Sequence, residues 1–140
     1  MATINIIIET PKGSKTKYQF KNNKLVIDHK LPQPMPVNYG FINHTKSGDS
    51  EPLDALYFSR KTKKLAKIRA KIIGVMQFID CNKIDDKILC VPAGSEKSLK
   101  DMKSKLEYIQ HFFETYKHNT KVLGFGGVGK ALKAISEAKE

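Results

Sequence analysis

Short apolar strands, several of them alternating with polar residues, fill the chain up to Val91, and apolar residues recur at every third or fourth position from Glu96 onward. The chain must therefore build a sheet first and lay helices against it afterwards. Ile4, Ile6 and Ile8 alternate with Thr3, Asn5 and Ile7. After the loop Pro11–Ser14, Tyr18 and Phe20 share one face and Lys17 and Gln19 the other, which predicts that Tyr18 packs the core. Asn22-Asn23 reads as a turn into a strand over Leu25–Asp28. The alternate prolines of Leu31–Pro36 lack backbone donors and predict an extended connector. Further strands are expected at Val37–Ile42, Leu53–Phe58, Lys67–Ile72, Gly74–Ile79 and Lys87–Val91, the last two as a hairpin around Asp80–Asp86. Leu99, Met102, Leu106, Ile109, Phe112, Phe113 and Tyr116 predict one helix over most of Glu96–Lys117, capped by Ser95 or Ser98. Val128, Ala131, Leu132 and Ile135 predict a shorter terminal helix. The expected class is mainly β with α, a β-barrel with two helices packed outside it, as a single domain over 1–140.

An apolar share of 40% excludes a disordered tail. The longest apolar stretch, Ile72–Met76, is far below the roughly 20 residues of a membrane span. Met1–Thr10 has neither the basic start nor the apolar run of a secretory signal, and Cys81 and Cys90 make no disulfide framework. A cytoplasmic protein with reduced thiols is expected. Lys and Arg number 25 against 14 Asp and Glu, a net charge of +11 that predicts attraction to anions.

Two clusters carry chemistry: Asp49, Glu51 and Asp54 before one strand, and Asp80, Asp85 and Asp86, followed by Lys87, around the hairpin. Carboxylates without His or Cys partners are hard-oxygen sites that suit Mg²⁺, or Mn²⁺, and not zinc. Two clusters in one small barrel could hold the paired metals used for in-line attack on phosphorus, or they could be solvated turns. Three other signals lead elsewhere. Gly124–Lys130 matches part of a phosphate-binding loop, but Ala131 replaces the Ser or Thr that would touch Mg²⁺, so a flexible turn is expected. The basic run Arg60, Lys61, Lys63, Lys64, Lys67, Arg69 and Lys71 has only Tyr57 and Phe58 nearby to stack bases, so no dedicated nucleic-acid role is expected. His29, His44, His111 and His118 are scattered without zinc spacing.

The run Asn38-Tyr39-Gly40-Phe41-Ile42-Asn43-His44-Thr45, followed by Asp49-x-Glu51-Pro52-x-Asp54, resembles the signature of soluble family I inorganic pyrophosphatases, an NYG(Y/F)I run and then D-x-D-P-x-D. Ile7-Ile8-Glu9 with Lys17-Tyr18, then Gly74-Val75 to Asp80, Asp85-x-Lys87 and Val91-Pro92, and finally His111–Lys117 resemble further elements of that family in the same order. The resemblance implies an OB-like five-stranded barrel and Mg²⁺-dependent hydrolysis of pyrophosphate to two phosphates by metal-activated water. It implies Asp49, Asp54, Asp80 and Asp85 as metal ligands and Glu9 as an accessory one. It implies Glu51 as the group that activates water, with Asp54 beside it. Lys17, Tyr39, Lys87, Tyr116 and Lys117 would hold phosphate oxygens. It also implies a homo-oligomer, with a hexamer favoured.

Five positions depart from the family pattern. Gln19 stands for a Glu, His29 or Lys30 for an Arg, Met35 for a Tyr, Cys81 for an acidic residue, and Glu51 for the middle Asp of D-x-D-P-x-D. Glu51 adds a methylene to a position where a ~1 Å misplacement can cost on the order of a hundredfold in rate. The alternatives are a hydrolase of another phosphoanhydride on the same fold, or a non-catalytic member that binds phosphate or nucleic acid.

Overall fold

The computed structural model describes residues 2–43, 45 and 51–139. Strands β1 (Thr3–Thr10), β2 (Thr16–Lys21), β3 (Lys24–Lys30), β4 (Asn38–Ile42) and β5 (Asp54–Tyr57) lead into β6 (Lys67–Asp80), β7 (Lys83–Ile84) and β8 (Lys87–Pro92). A 3-10 turn at Leu99–Met102 opens α1 (Lys103–Thr115), and β9 (Thr120–Gly126) and α2 (Val128–Ala138) follow. The main sheet runs β1-β4-β5-β8-β6, and β1 also pairs with β6, which closes a five-stranded barrel. β5 and β8 are parallel, while the other four barrel contacts are antiparallel. β7 and β9 extend the far end of β6, and β2 with β3 form a separate hairpin. The barrel and its two helices are as the sequence predicts.

Both faces of the central strands are covered, so alternate residues enter two different cores. Leu56, Met76, Phe78, Leu89 and Val91 pack under α1 with Met102, Ile109 and Phe113. Ala55, Tyr57, Val75, Ile88 and Cys90 pack on the other side with Ala131, Ile135 and Ala138 of α2. The α2 stripe is narrower than its apolar pattern suggests, because Val128 and Leu132 are exposed.

The structure differs from the sequence reading in four places. Lys67–Ile72 and Gly74–Ile79 are one continuous strand, β6, with a bulge between Ile72 and Gly74. A side chain at Gly74 would stand 2.5 Å from the Gly126 carbonyl, so β9 can pass only over a glycine there. The predicted helix starts late. Ser95 is held in a turn, its Oγ accepting from Lys97 N–H, and the 3-10 turn follows only after Ser98, whose N–H donates to Asp101 Oδ2. The flexible turn expected over Gly124–Lys130 begins inside β9, whose glycines hide its alternation. Tyr18 is half-buried outside both cores, with the Lys64 ammonium 3.9 Å above its ring. The Asn22-Asn23 turn is confirmed: both residues have positive φ, 51° and 63°, which Asn tolerates.

Candidate active site

The strand faces that enter the α1 core end in polar residues at one rim of the barrel. Asp54 shares its face with Leu56, and Lys87 shares its face with Leu89 and Val91. Asp80 reaches the same rim only because of the β6 bulge. Ala70 and Ile72 belong to the α2 core, whereas Ile73, Met76 and Phe78 belong to the α1 core. One extra residue has swapped the faces, and Asp80 follows Phe78. Two further bulges act at the same rim. In β1, Ile8 pairs with Gly40 and Thr10 with Tyr39, leaving Glu9 as the extra residue. In the hairpin, Lys17 pairs with His29 and Tyr18 with Ile27, leaving Asp28 extra.

These elements enclose a polar cleft of about 120 Å³. Glu9, Asp28, Glu51, Asp54, Asp80 and Asp85 line it with Lys17 and Lys117, and Tyr39 and Tyr116 complete the wall. At its base Lys87 is wholly buried. Its ammonium donates to Asp54 Oδ2 at 2.8 Å, Asp85 Oδ2 at 3.2 Å and the Tyr39 hydroxyl at 3.0 Å. Tyr39 in turn donates to Asp54 Oδ2 at 2.6 Å. The rings of Tyr39, Phe78 and Phe113 surround the same ammonium, with centroids 5.0 to 5.6 Å away. Burial pushes the Lys87 pKa down, but Asp54 and Asp85 outweigh it and hold the ammonium charged far above the usual lysine range. Burial, reinforced by Asp54, keeps the Tyr39 phenol protonated.

On the walls, Lys117 Nζ lies 2.6 Å from Asp80 Oδ2, and Lys17 Nζ lies 2.8 Å from Asp28 Oδ2. Asp80 Oδ1 is buried with no hydrogen-bond partner among the described residues. Glu9 Oε2 accepts from Phe20 N–H at 2.7 Å. Burial raises the Glu9 pKa to about 7 despite that bond, and Asp54 adds to the rise. The Phe20 ring stacks on Phe41 at 5.7 Å and fixes the hairpin against the barrel. His29 pairs with Lys17 across the hairpin, its ring 5.8 Å from that of Tyr116.

The structure thus gathers Glu9, Lys17, Tyr39, Glu51, Asp54, Asp80, Asp85, Tyr116 and Lys117 at one cleft, while Asp49 and His44 lie outside the described residues. Lys87, expected among the phosphate holders, is wholly buried at the base of the cleft. Its ammonium is committed to two carboxylates and a phenol beneath the cleft floor. Asp28, read from the sequence only as a strand end, lines the wall. Its only signal was an acidic residue at the end of a strand otherwise read as structural. Gln19, one of the five departures, also lines the cleft, and Met35 is a buried core residue.

Fold and site together define a class of protein: an OB-like barrel whose rim sets oxygen donors against lysines, as needed to hold a small, highly charged anion. Comparison with known proteins makes this specific. A family model for inorganic pyrophosphatase matches residues 6–140. The inorganic pyrophosphatase of Synechocystis is 36% identical over 96% of this chain and 88% of its own length. The crystal structure of an inorganic pyrophosphatase from Neisseria gonorrhoeae superposes with a TM-score of 0.93 at 33% identity, covering 97% of this chain and 88% of the other. That of the Ehrlichia chaffeensis inorganic pyrophosphatase gives a TM-score of 0.85 at 39% identity, over 97% and 92%. The chain belongs to the inorganic pyrophosphatase family.

Proposed function

We propose that this chain is a Mg²⁺-dependent inorganic diphosphatase that hydrolyses pyrophosphate to two phosphates. The observation that carries the reading is the convergence of Glu51, Asp54, Asp80 and Asp85 with Lys17 and Lys117 on one compact cleft. Pyrophosphate carries up to four negative charges, and only a site dense in cations can hold it while charge moves to the leaving phosphate.

The residues fit a hard divalent cation. The acidic side chains of the cleft supply only oxygen donors, and the buried Asp80 Oδ1 lacks a hydrogen-bond partner among the described residues. Among those residues no three His, Cys, Asp or Glu side chains already converge on one point. The chain's own ammoniums stand against the carboxylates instead, Lys117 on Asp80 and Lys87 on Asp54 and Asp85. Asp54, Asp80 and Asp85, with Asp49 and Glu9, would hold Mg²⁺, and Mn²⁺ would serve in its place. Bound there, the ions would supply the remaining positive charge and lower the pKa of water.

Lys17, Lys117 and the Tyr116 hydroxyl hold the outer oxygens of the two phosphates. The Glu51 carboxylate takes a proton from the attacking water as the new P–O bond forms on one phosphorus. The bridging P–O bond to the other breaks, releasing the second phosphate. Lys87 and Tyr39 act through Asp54 by fixing its orientation. We read 1–140 as one domain, cytoplasmic and homo-oligomeric with a hexamer favoured. The resemblance supports the oligomer, and reading Cys81 and Cys90 as reduced thiols supports the compartment. Among the described residues no helix is long and apolar enough to cross a membrane.

The test is phosphate release from pyrophosphate at roughly millimolar Mg²⁺, enough to saturate weakly held hard cations. Wild type is compared with Asp54→Asn and Glu51→Gln, and with tripolyphosphate and nucleoside triphosphates as substrates. Loss of turnover in both variants supports metal binding by Asp54 and proton transfer to Glu51. Activity retained by Glu51→Gln would move the base elsewhere. A folded wild type that turns over only tripolyphosphate or nucleotides would replace the proposed substrate.

A further inference from the structure

A second, drier pocket of about 190 Å³ lies away from the cleft, between α1 and the loops that lead into β4 and out of β5. Pro36, Val37, Phe58, Tyr108 and Ile109 line it. Lys12 and Lys105 line it from opposite elements, and no carboxylate does so among the described residues. Neither ammonium has a carboxylate within ion-pair distance among those residues. Tyr108 is 55% exposed, an aromatic ring left open beside two uncompensated cations.

The frame behind the pocket is rigid. Asn38 is fully buried, and its Oδ1 accepts from Lys12 N–H and Thr62 N–H, each at 3.0 Å. Its Nδ2 donates to the Arg60 carbonyl at 2.9 Å and to Ser59 Oγ at 3.3 Å. One side chain therefore fixes both loops that carry Lys12, Phe58 and Ser59, so the pocket is largely built before any ligand arrives.

An apolar slot with an open aromatic ring recognises a flat ring by stacking. Two lysines on opposite walls, without a carboxylate, recognise phosphate as point charges. We propose that this pocket is a second ligand site for a nucleoside monophosphate, its base held between Tyr108 and Phe58 and its phosphate between Lys12 and Lys105. The position also gives such a ligand a mechanical link to the cleft. Tyr108 and Tyr116 lie on the same helical segment, about 12 Å apart along the axis. Asn38, which frames the pocket, is followed in β4 by Tyr39, which lines the cleft.

Binding is measured by ligand-observed NMR with AMP, adenosine and inorganic phosphate as separate probes, on the whole chain without pyrophosphate or added metal. This keeps the result independent of the catalytic reading. AMP is expected to bind with Kd below about 1 mM, and adenosine and phosphate each at least about tenfold more weakly. Lys105→Ala and Tyr108→Ala, both at exposed positions, are each expected to weaken AMP about tenfold or more, whereas Lys17→Ala leaves it unchanged. Three results would overturn the proposal: no AMP binding at several millimolar, unchanged affinity in both pocket variants, or loss of AMP binding in Lys17→Ala. The last would place AMP in the catalytic cleft.

Discussion

Replacing Lys87 by Met keeps most of the length of a wholly buried, unbranched side chain and removes its ammonium, with the charge and the donors. The native ammonium holds three partners, Asp54, Asp85 and the Tyr39 hydroxyl, within 3.2 Å. Lys87→Met removes the cation that Asp54 and Asp85 share at the floor of the cleft. Breaking a buried pair in this way costs about 3–5 kcal/mol. For a domain of this size that lowers Tm by about 10–15 °C. The pH dependence identifies the cause. Lys87's folded pKa is raised above its unfolded 10.5, so its own contribution is complete below that value and is lost only in strong alkali. Between pH 5 and 8 the wild type therefore gains or loses nothing through this lysine. In the variant, by contrast, a carboxylate that has lost this cation can take up a proton, so the deficit shrinks as the pH falls toward about 4. Asp54→Asn in the Lys87→Met background removes one of the two charges and recovers part of the loss. The assay is urea unfolding of all the proteins with a chelator present, at several pH values. A Lys87→Met variant within about 1 kcal/mol of wild type would refute the argument, as would a deficit that grows on acidification.

Glu9 makes an opposite pH prediction. Its folded pKa is raised from 4.5 to about 7, so its protonated form favours the fold below 4.5 and stability is lost as the pH rises through 7. In metal-free protein, wild type should lose up to roughly 3 kcal/mol more than Glu9→Gln across that window; parallel pH curves would contradict this. Gly74→Ala should destabilise by about 1–3 kcal/mol because its Cβ meets the Gly126 carbonyl at 2.5 Å, and a neutral result in urea would mean β9 can move aside. Asp28→Ala releases Lys17 from a half-exposed pair, so KM for pyrophosphate should change by no more than about fivefold; a collapse of kcat would instead place Asp28 in the chemistry. Asn23→Ala forces a Cβ-bearing residue without a polar tip to φ 63° and should cost about 1 kcal/mol in thermal unfolding.

Much of the molecule follows from local chemistry. Alternation over Ile4–Ile8, the short apolar run Ile88–Val91, and the three- and four-residue steps of Leu106, Ile109 and Phe113 mark strands and helix, because side-chain direction follows backbone period. Most of the candidate site was likewise legible, since the carboxylates sit in short motifs at strand ends. What the sequence does not carry is the offset created by a bulge. A single extra residue near Ile73 moves Asp80 from the α2 side of β6 to the cleft, and the extra residues Glu9 and Asp28 lie in two other bulges at the same rim. A period-two pattern looks almost the same with or without the inserted residue. Whether the insertion bends the strand depends on the partner's register, which is a long-range pairing. β9 was hidden for a related reason: its glycines remove the side-chain signal, and its close passage over Gly74 of β6 is a long-range contact. The placement of Lys87 was also a tertiary decision. Its motif marks a lysine beside an anion site, but the three rings and two carboxylates that hold it beneath the floor come from β4, β5, β6 and α1 and from Asp85, and converge only when the barrel closes.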